Sequence, residues 1–176
     1  MQYLMKSGEL FLTDSGKLLI QIKSPLLGVK KTIYKKDSGQ SYQTDIMTTD
    51  ISNGKKGDVR YRTYIMTDSE SVVLMEAHPA YAKEDDPDVV GWPICRVPKV
   101  DHADILICGT KYLLTMHNSQ NYSLKDEQEN TKLQIMHCGI AGGWTMDANE
   151  CFSPEILGGL FIFCRYMEQE NEFIVV

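Results

Sequence analysis

Four histidines, five cysteines and a run of lysines are the residues of this 176-residue chain with chemistry to offer. His78, His102, His117 and His137 are of the type that serves as a general base, and Cys95, Cys108, Cys138, Cys151 and Cys164 as nucleophiles. The nearest thing to an acid–base cluster is Asp101-His102-Ala103-Asp104. A histidine between acids is ordinarily a surface hydrogen-bonding group. No GxSxG elbow, Walker loop, dinucleotide fingerprint or HExxH accompanies it. The expectation is a chain that is not an enzyme, with a small hydrolase as the lesser alternative. The cysteines form no CxxC pair and their count is odd, which fits neither a disulfide framework nor a zinc site. We expect five free thiols, no metal and no cofactor. Cys164 and Cys108 are read as small buried residues, Cys138 and Cys151 as nearer the surface.

The lysines carry the other kind of chemistry. The net charge is −6, yet residues 1–62 hold 11 of the 18 basic residues and only 6 of the 24 acidic ones. Within that basic third, Lys30, Lys31, Lys35 and Lys36 form the candidate ligand-binding set, suited to phosphate groups or an anionic membrane surface. In a strand, Lys31 and Lys35 share one face and Lys30 and Lys36 the other, so one pair at most serves a single site. The acidity of the remainder opposes nucleic acid as a partner.

These residues must be positioned by something, and the chain supplies hairpins. Asp-headed polar turns recur at Asp14-Ser15-Gly16-Lys17, Asp37-Ser38-Gly39-Gln40, Asp68-Ser69-Glu70-Ser71 and Asp126 to Asn130. An aspartate at the first turn position bonds the backbone two residues on, and Gly16 and Gly39 supply the positive φ that closes the first two. The flanks alternate with the strand period, as in Leu18-Leu19-Ile20-Gln21-Ile22 and Lys132-Leu133-Gln134-Ile135-Met136. The pattern predicts a mainly β chain, a closed antiparallel β-barrel or sandwich of hairpins, in one domain spanning 1–176. A proline-rich acidic loop is expected at 79–98, where four of the six prolines and Glu84-Asp85-Asp86-Pro87-Asp88 fall, with Trp92 pinning it to the barrel. Ser153, Pro154 and Glu155 are a cap, a first-turn proline and a dipole-matching acid. They predict a C-terminal helix near 153–168, apolar on nearly every face from Ile156 onward and therefore buried. Gly158 and Gly159 weaken such a helix, which is consistent with a wall approaching closely there. A strand over Leu160–Phe163 is the rival reading. No stretch reaches the ~20 apolar residues of a membrane span, and the N-terminus has no signal-like apolar run. The expected location is cytoplasmic.

The stretch Tyr122 to Ile135, then Gly143-Trp144-Thr145-Met146, then apolar Ile156 to Met167, resembles the end of a tubby-like C-terminal domain. More closely it is similar to the LURP-one-related and phospholipid-scramblase-like branch, as are the hairpins Phe11 to Ile22 and Thr32 to Ile46. The resemblance implies a twelve-stranded barrel threaded by a C-terminal hydrophobic helix. It also implies a binding module for an anionic phospholipid or phosphoinositide, peripheral to a membrane, with basic residues on the barrel exterior as the site. Lys30, Lys31, Lys35 and Lys36 are the candidates. The alternative is a protein partner or scaffold role with no lipid. The 79–98 insert and the polar tail after Met167 depart from the family pattern.

Overall fold

The computed structural model describes residues 1–25, 28–50, 60–82, 99–118, 120–139, 142–149 and 152–172. Twelve strands follow one another in the chain. They are β1 (Gln2–Lys6), β2 (Glu9–Leu12), β3 (Lys17–Lys23), β4 (Lys31–Lys35), β5 (Ser41–Asp50) and β6 (Arg60–Thr67), followed by β7 (Val73–Tyr81), β8 (Val100–Ile107), β9 (Thr110–Asn118), β10 (Asn121–Asp126), β11 (Thr131–His137) and β12 (Trp144–Ala148). A single helix, α1 (Pro154–Glu172), comes last among the described residues. Each strand pairs antiparallel with its neighbours in sequence, and β1 pairs with β12 to close the barrel. Closure leaves no unpaired sheet edge.

The strand period explains the wall. On β4, Ile33 is buried while Tyr34 faces out, and on β8 Ala103, Ile105 and Ile107 are buried while Asp104 and Leu106 are exposed. Inward residues from every strand surround α1, whose Ile156, Leu157, Leu160 to Cys164, Tyr166 and Met167 are all buried. The helix occupies the barrel interior, so its apolar residues need not fall on one stripe. Gly158 and Gly159 sit where the wall comes closest. A Cβ on Gly158 would run into Ile20 Cδ1, and one on Gly159 would lie 2.5 Å from Met66 Sδ. The Ser153 carbonyl accepts the first helical hydrogen bond, from the Leu157 N–H at 3.1 Å. The helix runs four residues past the expected end at 168. Its last turn gains partners on the wall, with Asn171 Oδ1 accepting from the Val100 N–H and Asn171 Nδ2 donating to the Val100 carbonyl, both at 2.9 Å.

The barrel has two unlike rims. The Asp-headed turns at Asp14, Asp37, Asp68 and Asp126 all lie at the rim where α1 begins. In two of them the aspartate collects backbone donors. Asp68 Oδ1 accepts from Glu70 and Val72, and Asp126 Oδ1 from Gln128 and Asn130. The opposite rim receives the end of α1 and the connection between β3 and β4.

Two expectations need correction. β7 continues through His78 and Pro79 to Tyr81, with Pro79 opposite Ala103, so the strand extends into the region read as a loop from 79. The rest of that loop, with Trp92 and Cys95, lies outside the described residues, as does Cys151. Cys108 is exposed rather than buried. It forms with Gly109 a two-residue turn in which both φ angles are positive, 46° and 86°, the geometry that matches strand twist in a tight hairpin. The apolar run Ile105-Leu106-Ile107 ends β8 one residue short of it. Cys164 is buried in α1, and Cys138 is exposed.

Candidate functional site

The β3–β4 hairpin and β5 build a basic cleft at the rim where α1 ends. Lys23 pairs in register with Thr32, and Thr32 with Gln43, so the three stand in a row across the outer face, about 4.8 Å from strand to strand. Ser24, Pro25, Lys30 and Lys31 complete the lining of a cavity of about 300 Å³. Lys23 Nζ rests 5.0 Å from the centre of the Tyr34 ring, a cation–π contact that holds it over the sheet. Lys30 Nζ lies 3.2 Å from Asp45 Oδ2, but the lysine side chain is 68% exposed. Such a pair is worth little in water, and an arriving anion competes for it. Lys31 has no ion-pair partner among the described residues.

Three ammonium groups, two hydroxyls and the Gln43 amide offer one surface of donors. That set suits phosphate or carboxylate oxygens, with lysines acting as point charges on flexible stems. Among the described residues, no acid–base pair lines the cavity. Among the described residues, no three of His, Cys, Asp and Glu gather to hold a metal ion.

The four lysines named from the sequence therefore divide. At ~3.3 Å per residue, Lys31 and Lys35 are about 13 Å apart along β4 and reach opposite rims. Lys35 turns to the interior, where its Nζ lies 3.3 Å from Glu155 Oε2 in the first turn of α1. The contact is an ion pair rather than a well-directed hydrogen bond, since Glu155 Oε2 lacks a hydrogen-bond partner. Desolvation pulls the Lys35 pKa down, but the facing Glu155 carboxylate outweighs it and holds the ammonium above its usual range. Lys36 stays on the outer face and donates to Gln21 Oε1 at 3.1 Å. The expected sharing of faces also needs amendment. Lys30 and Lys31 line one cavity although they alternate in parity, because the β4 ladder starts at Lys31 and Lys30 precedes it. Lys23 was missed. Its signal is the hairpin itself, since pairing β3 with β4 brings the lysine before the 24–30 connection to those after it.

Among the described residues, two further cavities open at the rims. One of about 400 Å³ beside the start of α1 is lined by Asp68, Glu70 and Glu155, a charge set hostile to anions. The other, about 240 Å³ beside the end of α1, is lined by Arg62, Tyr166, Gln169 and Glu170. There the Tyr64 hydroxyl donates to Glu170 Oε1, and Arg62 Nη1 lies 3.8 Å from the same oxygen. Burial raises the Glu170 pKa, against the hydrogen bond from Tyr64 and the charge of Arg62.

The histidines stay on the wall. His102 Nδ1 lies 2.5 Å from Asp101 Oδ1, and Asp104 is exposed on the same strand. His117 Nε2 lies 2.8 Å from Ser123 Oγ, the spacing of a base and a nucleophile. No acid pairs with the other ring nitrogen of His117 among the described residues.

By its fold and its rim this is a helix-filled antiparallel barrel carrying a lysine cleft. No family model matches the chain, and neither a curated protein nor a solved structure matches it.

Proposed function

We propose that the chain is a non-enzymatic, tubby-like binding module that docks on membrane surfaces through an anionic phospholipid headgroup. The observation that carries this is the convergence of Lys23, Lys30 and Lys31 on one rim cavity. Val29 and Met47, exposed toward the same rim, offer apolar side chains where a lipid surface would meet the barrel. Twelve antiparallel strands around a C-terminal helix are the architecture that the tubby-like resemblance implies, and phosphoinositides are ligands known for that family. No helix among the described residues is long and apolar enough to cross a membrane, so the proposed attachment is by surface contact.

Vesicle sedimentation tests the reading. The wild-type chain should sediment with phosphatidylcholine vesicles that contain phosphatidylserine or a phosphoinositide, and stay in solution with phosphatidylcholine alone. Each lysine near an anionic surface is worth about 1 kcal/mol, so Lys23→Gln/Lys30→Gln/Lys31→Gln should weaken binding by roughly 100-fold. Lys36→Gln, at the other rim, should bind as wild type. A chain that ignores all vesicles, or a triple variant that still binds, would return the rim to a scaffold role with a protein partner.

A further inference from the structure

Among the described residues, the segment that carries Lys30 is tied to the barrel interior at one point. The Tyr166 hydroxyl donates to the Val29 carbonyl at 2.7 Å and lies 2.9 Å from Thr44 Oγ1. A phenol has one proton and a carbonyl can only accept. The Tyr166 proton therefore belongs to Val29, and Thr44 donates to Tyr166. The ring that presents this hydroxyl is fully buried, edge-on to Tyr64 at 5.3 Å between centroids and stacked on Phe163 at 6.2 Å. It is a rigid post. The segment it grips has little else to hold it. Val29 is 40% exposed, the Lys30–Asp45 pair is solvated, and the β4 ladder begins only at Lys31. Outside the strands, no backbone hydrogen bond involves residues 28–30 among those described.

We propose that Tyr166 is a positioning residue for the lysine cleft, tethering Val29 so that Lys30 and Lys31 converge on the cavity with Lys23. The assignment rests on the cleft being the binding site. The tether itself does not. Burial raises the Tyr166 pKa to about 12, so the proton that makes the bond is present at any physiological pH.

Two variants separate the tether from packing. Thr44→Val removes only the neighbouring hydroxyl and leaves Tyr166 bonded to Val29. Thr44→Val/Tyr166→Phe removes both hydroxyls, so neither is left buried without a partner, and only the Val29 carbonyl loses its donor. Amide hydrogen exchange over residues 31–33, where the β4 ladder starts beside the tether, and sedimentation with phosphatidylserine vesicles are then measured on both. The double variant should exchange there about fivefold faster than Thr44→Val, the worth of one hydrogen bond. It should bind vesicles several-fold more weakly, with its melting temperature within about 2 to 4 °C of that of Thr44→Val and its exchange elsewhere unchanged. Equal exchange in the two variants overturns the tether. Faster exchange with undiminished vesicle binding overturns the positioning role. Should the double variant fail to fold, Tyr166→Phe alone against Thr44→Val gives the same comparison. A wild-type chain that binds no vesicles sinks the headgroup reading, and the exchange comparison still decides the tether.

Discussion

Glu170 shows what a single carboxyl costs inside this barrel. It sits near the end of a helix, where the backbone dipole disfavours negative charge, with 11% of its side chain exposed. Burial holds its pKa above the ordinary 4.5, while Tyr64 and Arg62 pull the other way. A carboxyl raised in the folded chain binds its proton more tightly there than in the unfolded chain. Its contribution to stability is thus most favourable below about 4.5 and is lost as pH rises through the folded value. Glu170→Gln keeps an acceptor for Tyr64 and removes the charge. The variant should melt at a higher temperature than the parent at pH 7, with the gap closing below about pH 4.5, as thermal scans across that range would show. A parent more stable than the variant at pH 7 would mean that the Arg62 attraction outweighs burial. None of this is visible in the sequence, where Glu170 is one acid in the polar run Glu168-Gln169-Glu170-Asn171-Glu172.

The helix and the turns were legible because their signals are local. Ser153-Pro154-Glu155 announces a helix start whatever surrounds it, and an aspartate opening a polar turn carries its own hydrogen bonds. The glycine pair of α1 could be read as a close approach, but its neighbours could not, since Ile20 lies 138 positions away. Pro79 misled for the opposite reason. A proline interrupts a lone strand, and only the pairing of β7 with β8 shows that the ladder passes it. The lysine cleft fails to show in a scan of neighbours because Lys23 and Lys30 meet through a hairpin. At this scale the glycines give a test. Gly158→Ala gains about 1 kcal/mol of helix propensity but drives a methyl group into Ile20, and overpacking of a dense core costs ~1 to 3 kcal/mol. Chemical denaturation should find Gly158→Ala less stable than the parent. Adding Ile20→Val, which deletes the clashing Cδ1, should recover part of the loss, although Ile20→Val alone destabilises. Additive losses would mean the methyl group is accommodated elsewhere.

For the molecule as a whole, an ion pair near each end joins core to wall. Glu155 meets Lys35 on β4, and Glu170 meets Arg62 on β6, fifteen residues or about 22 Å further along the helix. Between them lie the buried side chains of α1, each contributing ~1.5 to 3 kcal/mol on burial. A chain ending at residue 152 would have a wall around an empty interior. It should show no cooperative melt and should bind a hydrophobic dye, and a sharp transition near the full-length temperature would refute the account of the core. Chain order then sets a timetable. A ribosome makes the wall first, and at ~5 to 20 residues per second the stretch from Ala148 to Met167 takes about one to four seconds more. Until it emerges, twelve strands have their inward apolar faces and nothing to close around, and β1, the first of them to be made, has waited longest for its partner β12. The nascent chain passes through a stage when the apolar faces of its wall are complete and its core is still unsynthesised, the stage at which exposed strands are most prone to aggregate.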